Sequence, residues 1–148
     1  EITRGRAAIL KAYYLKSKKL PEEVLHVELN EQSSYMPYVL GRLFSVLEAI
    51  QYDFNPNLNT TIKDKYFSAA SATPAVVFPT LINLAQKHLR KLEKGRQVYY
   101  NKQLGSLIEK IGEAYPARMA LPEQGAFQIG YYHQTQKRYA KKEENENV

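Results

Sequence analysis

Across most of this chain an apolar residue recurs at every third or fourth position, and no segment sustains the two-residue alternation of a half-buried strand. The cleanest run covers about 97–113, where Tyr100, Leu104, Leu107, Ile108, Ile111 and Tyr115 fall at i, i+4, i+7, i+8, i+11 and i+15. Over about 36–53, Val39, Leu43, Val46, Leu47 and Ile50 form a face that Leu40 and Phe44 broaden, as a central core helix requires. The pattern predicts an all-α fold: a compact bundle of about five to seven helices with no sheet. Its expected core contains Leu43, Leu47, Ile50, Phe78, Leu89, Leu104, Leu107, Ile108 and Ile111.

Proline, glycine and the turn-formers set the expected boundaries. A first helix spans about 2–18, with Ile2, Ile9, Leu10 and Tyr13 on one side and Arg4, Lys11 and Lys18 on the other. Pro21, with Glu22 and Glu23 at the positive end of the dipole, opens a short second helix over about 21–30. Asn55-Pro56-Asn57 breaks the chain after the third. Thr60 is the expected N-cap of a helix over about 61–70, and Thr73-Pro74 the N-cap and first position of one over about 74–93. Pro79 kinks or restarts that helix, and Gly95 ends it. Between them the small residues Ser68 to Thr73 allow a ligand or another chain close to the backbone. Pro116 stops the next helix, and Pro122 starts a last one that runs to about 141. Residues 1–142 thus read as one helical-bundle domain, and 143–148 as a disordered polar tail.

Charge is distributed unevenly along the 148 residues, which carry a net +6. Residues 1–19 hold six bases and one acid, 20–58 one base and six acids, and 59–102 eight bases and two acids. Such a surface attracts a polyanion on one side and a basic partner on the other. The chain has no cysteine, which excludes disulfides, thiolate metal sites and a cysteine nucleophile and fits a reducing compartment, so a cytoplasmic location is expected. No apolar run reaches the about 20 residues of a membrane span, and no membrane partner is expected. Glu1 opens the chain and its methionines are Met36 and Met119, as expected of a fragment or a trimmed product.

The sharpest binding feature lies on the expected helix over 74–93. Phe78, Ile82, Ala85, Leu89 and Leu92 mark one face, while Lys87, Arg90, Lys91 and Lys94 lie almost opposite at i, i+3, i+4 and i+7. Arg96 extends the row, and Arg4, Lys11, Lys63 and Lys65 are candidates to widen it. Cations spaced by a helical turn can follow phosphates along a strand. The other reading of the same row is a solvated helix face on a protein–protein adaptor. The 12 tyrosines include three adjacent pairs. Tyr13 and Tyr100 belong to apolar faces, which leaves Tyr14 and Tyr99 for the rim, where a ring either seals the bundle edge or stacks on a base.

Catalytic patterns are thin. His26, His88 and His133 are isolated, and none has a zinc-ligand spacing. Asp53 and Asp64 are the only aspartates, which disfavours a carboxylate-built magnesium nuclease. No catalytic residue, metal or cofactor is expected, and His133 reads as a packed bundle histidine. An enzyme completed by a partner chain, with His133 or Glu48 as its residues, is the remaining alternative.

Five phrases in one order carry a family resemblance: Gly5 to Tyr14, Tyr38-Val39-Leu40-Gly41-Arg42-Leu43-Phe44, Ile62 to Phe67, Ser71-Ala72-Thr73-Pro74 leading to Phe78-Pro79, and Gly130-Tyr131-Tyr132-His133-Gln134. Together they resemble the C-terminal helical region of the large subunit of the type I-C CRISPR Cascade, a region also made separately as the complex's small subunit. The resemblance covers roughly residues 2–141. The missing initial methionine fits either a domain of the large subunit or a small subunit lacking its initiator. It implies a helical, non-catalytic subunit whose partners are other Cascade subunits, the guide RNA, and the target and displaced DNA strands. Guide pairing reads the sequence there, so backbone contacts suffice. The acidic segment 20–58 would then face basic neighbours in the complex.

Overall fold

The computed structural model describes residues 21, 24 and 27–146. The expected first helix, with Arg4, Lys11, Tyr13 and Tyr14, lies outside the described residues. Among the described residues five α-helices follow one another: α1 (Met36–Phe54), α2 (Ile62–Ala72), α3 (Pro74–Leu89), α4 (Lys94–Ile111) and α5 (Leu121–Glu146). No strand occurs among the described residues, so the all-α bundle expected from the period is what the chain forms.

Boundaries moved where local hydrogen bonds outcompeted the apolar period. The helix expected over 21–30 does not cover 27–30. There the Asn30 N–H donates to Tyr38 Oη at 3.0 Å, and the Asn30 side chain accepts from the Gln32 N–H at 3.0 Å. These bonds offer the backbone an alternative to helix. The cap of α2 is Thr61 rather than Thr60: its hydroxyl accepts the Asp64 N–H at 3.4 Å, and the Asp64 carboxylate accepts the Thr61 N–H at 2.9 Å. This reciprocal capping box holds the Asp64 carboxyl below its ordinary range, chiefly through the backbone bond from Thr61. Thr73 precedes Pro74 as expected, yet its hydroxyl donates back to the Ala69 carbonyl at 3.0 Å and caps nothing.

Helix α3 passes through Pro79 and ends at Leu89, four residues before the expected position. Gly95 does not terminate it. Lys94 and Gly95 instead begin α4, after a turn at Arg90 and Lys91. Helix α4 closes at Ile111, with Gly112 at φ +81° as its C-cap. Helix α5 continues past 141, so residues 143–146 of the expected tail are helical. The small stretch over 68–73, expected to admit a ligand or another chain, here receives a segment of this same chain. The Met119 N–H donates to the Ala72 carbonyl at 2.9 Å, and the Ala75 N–H donates to the Pro116 carbonyl at 3.1 Å.

Helices α1 and α5 make the principal packing of the bundle. Their backbones meet where glycines remove the side chain. A Cβ on Gly41 would collide with the Phe127 carbonyl, and one on Gly130 with the Tyr38 carbonyl. Around this contact Tyr38 Oη pairs with His133 Nδ1 at 2.8 Å, Arg42 Nε donates to Gln134 Oε1 at 2.9 Å, and Ser45 and Thr135 share a hydroxyl bond of 2.7 Å. Tyr38, near the start of α1, meets Gly130 and His133, while Glu48, nearer its end, meets Arg138, so the two helices run in the same sense. Below this polar layer, Phe44 meets the rings of Phe67, Phe78, Phe127 and Tyr131 edge-on, at centroid separations of 5.4, 6.5, 6.0 and 5.9 Å. Aromatic pairs favour this arrangement because the positive ring edge meets the negative face.

Eight of the nine expected core residues are buried. The exception is Ile108, which is 37% exposed. Tyr100, Leu104, Leu107 and Ile111 already form the stripe that α4 turns toward α1, and Ile108 lies 100° round from Leu107. Leu107→Ala should therefore lower stability by ~2–5 kcal/mol in a urea melt, whereas Ile108→Ala should lose far less. Gly130→Ala gives a sharper test. Helix propensity alone favours alanine by about 1 kcal/mol, but overpacking typically removes about 1–3 kcal/mol. We expect a net loss, and a raised urea midpoint would show that the two helices part freely.

Candidate nucleic-acid interface

Lys87 ends its row on α3, Arg90 and Lys91 form the following turn, and Lys94 and Arg96 sit in the first turn of α4. All five are exposed. The row read as one straight stripe is therefore bent around a helix–turn–helix corner. No acid occupies the first turn of α4, so Lys94 and Arg96 stand at the positive end of a dipole. Those charges oppose helix stability and raise the local positive potential.

Two members of the row are tied to the end of α1. Arg96 pairs with Asp53, which also accepts the Tyr100 hydroxyl. Burial, followed by the Asp53 hydrogen bond, pushes the Tyr100 hydroxyl far above its ordinary range, while Asp53 raises Arg96. The Lys91 ammonium lies 5.5 Å from the centre of the Phe54 ring, on which His88 stacks at 4.3 Å. Burial and then the Lys91 charge push the His88 imidazole below its usual value, so the neutral ring is favoured. Lys65 is exposed on α2, and Lys63 is half-buried with its ammonium 5.1 Å from the Tyr131 ring centre.

Lys63 does not join the row directly. It shares with Arg96 a cleft of about 790 Å³, bounded by the end of α1, the loop into α2, the start of α4 and the last turns of α5. Arg138, Lys141 and Lys142 of α5 line the same cleft, as do Tyr52, Tyr99 and Tyr139. Tyr99 is exposed and Tyr100 buried, as their positions in the period predict. Sequence reading missed the α5 cations. Their signal was present: Tyr131, Arg138, Lys142 and Asn145 fall at i, i+7, i+11 and i+14, but a helix taken to end near 141 cut the row off before Lys142 and Asn145.

Three acids of segment 20–58 pair within the chain. Glu31 pairs with Lys137, which holds the Glu31 carboxyl below its ordinary range through their hydrogen bond. Glu48 accepts from the Tyr131 hydroxyl at 2.6 Å and lies 3.6 Å from Arg138, and Asp53 serves Arg96. The chain's own cations thus already partner three of the acids that were expected to face basic neighbours. His133 is buried on Tyr38, the packed histidine that was expected. Among the described residues no cluster of histidine, aspartate and glutamate side chains forms a metal site, and no helix is long and apolar enough to cross a membrane.

A family model for CRISPR-associated protein (Cas_Csd1) matches residues 1–139. The chain belongs to this family. No curated protein matches it. Membership bears out the resemblance and makes the chain a CRISPR-associated Cascade component, consistent with type I-C. Two of the phrases that carried the resemblance, 38–44 and 130–134, face each other across the α1–α5 crossing. In this family member those residues build the bundle, and the exposed cations lie elsewhere.

Proposed function

We propose that this chain is a non-catalytic nucleic-acid-binding subunit of the RNA-guided type I-C surveillance complex. In this reading it contacts DNA and RNA backbones without reading sequence, supports the guide–target duplex and steadies the displaced strand. The observation that carries it is the exposed corner of Lys87, Arg90, Lys91 and Lys94, which only Glu93 interrupts, in a chain of a CRISPR-associated family. Phosphate contacts of this kind supply affinity without base discrimination, because guide pairing supplies the specificity.

The absence of chemistry is part of the proposal. The two side chains best suited to an acid–base role are engaged in packing, His133 with Tyr38 and Glu48 with Tyr131 and Arg138. The purified chain, with or without divalent metal, should leave DNA, RNA and nucleotides intact. Turnover that survives repurification and vanishes on substituting His133 or Glu48 would overturn this part.

Converting Lys87, Arg90, Lys91 and Lys94 to Ala should weaken binding equally across unrelated single strands. With a slope of about −0.7 per phosphate neutralised, the salt dependence should flatten by roughly two to three units. The variant should stay folded, since all four side chains are exposed. Unchanged affinity and slope would remove this corner from the interface. A variant impaired only in joining the complex would assign it to a neighbouring subunit, the adaptor reading.

A further inference from the structure

Three tyrosines among the described residues are more than a third exposed: Tyr52 at 55%, Tyr99 at 43% and Tyr139 at 52%. They come from three different helices, yet all line the one cleft between the end of α1, the start of α4 and the last turns of α5. We propose that this cleft is a groove for single-stranded nucleic acid, in which unpaired bases stack on Tyr52, Tyr99 and Tyr139. The inference rests on the nucleic-acid reading above and assigns it a second surface with a different kind of contact.

Charge supports that occupant. Lys63, Arg96, Arg138, Lys141 and Lys142 line the cleft against Glu48, Asp53 and Glu93. Glu48 and Asp53 already accept hydrogen bonds from Tyr131 and Tyr100, and each has an arginine partner. Lysines therefore dominate what a ligand meets. Cations also sit beside two of the rings: the Lys141 ammonium lies 5.0 Å from the Tyr99 centre, and the Arg138 guanidinium 5.3 Å from the Tyr139 centre. A cation on one side of a ring leaves its other face for a base while remaining near the base's phosphate.

Only an unpaired strand can use these rings, because bases within a duplex are already stacked on one another. Stacking also tolerates any base, as a subunit that leaves sequence to the guide requires. The groove is continuous with the basic corner. Gly95 and Arg96 line the cleft, and Lys94 adjoins them. A strand leaving over Gly95, where a side chain would meet nothing within 4 Å, passes directly to Lys94 and Lys91.

The test compares a short oligothymidylate with an abasic oligomer of equal length, both titrated against the chain at several salt concentrations. A triple variant, Tyr52→Leu with Tyr99→Leu and Tyr139→Leu, is titrated alongside. Stacking predicts that oligothymidylate binds the variant about tenfold more weakly for each ring engaged, with the salt slope unchanged because no phosphate contact is lost. The abasic oligomer should bind the unaltered chain as weakly as oligothymidylate binds the variant. Equal binding of the two oligomers by the unaltered chain overturns the groove and needs no variant to fold. So does full affinity in a folded triple variant. In either case the phosphate-contact reading stands if the unaltered chain binds and the lysine–arginine variant does not. If the unaltered chain binds neither oligomer at low salt, both readings fall.

Discussion

The bundle depends on two backbones touching. Where α1 and α5 cross, Gly41 and Gly130 leave no side chain between the helices, and each faces a carbonyl of the other. Close approach brings the flanking side chains within hydrogen-bonding range, so a polar layer of Tyr38 with His133, Arg42 with Gln134 and Ser45 with Thr135 forms beside an aromatic core. That layer is demanding. Arg42 is buried and its guanidinium is pushed below its ordinary range by desolvation, while its Nη1 has no hydrogen-bond partner among the described residues. A buried charge of this sort adds little net stability. What it can do is reject registers in which Gln134 is absent from its Nε.

The same crossing determines where charge appears on the surface. Glu48 and Asp53, near the end of α1, receive Arg138 from α5 and Arg96 from α4, and Glu31 receives Lys137. Counting charges by sequence block treats these acids and bases as separate zones. Folding joins three of these acids to three bases, and among the described residues exposed cations remain at the α3–α4 corner and on the rim of the cleft.

Helix type and core membership were legible because period alone dictates them: the face of α1 and the stripe Tyr100, Leu104, Leu107 and Ile111 are where the spacing puts them. Ile108 fits the same period and is misplaced, since sequence cannot tell how wide a face the neighbours cover. Boundaries failed where one side-chain bond decided the issue, as with Asp64 selecting Thr61 over Thr60. The corner cations were readable from spacing, but not the bend between them, because Gly95 serves equally well after one helix or at the start of the next. The cleft was not readable. Tyr52, Tyr99 and Tyr139 lie far apart in the chain, and only the packing of three helix ends brings them to one place.

At 26 residues α5 is about 39 Å long, and its first half is anchored by the crossing at Gly130. From Tyr139 onward its described side chains are exposed, so the end projects as a stiff beam from a clamped base. One wall of the cleft is that beam. On that side its opening is consequently set by an angle: a small rotation at the Gly41–Gly130 fulcrum would be magnified along the overhang. Force applied to the tip by whatever fills the cleft would be felt first by Arg138, held on Glu48 and the Ser45 carbonyl, and then by the pairs of Ser45 with Thr135 and Arg42 with Gln134.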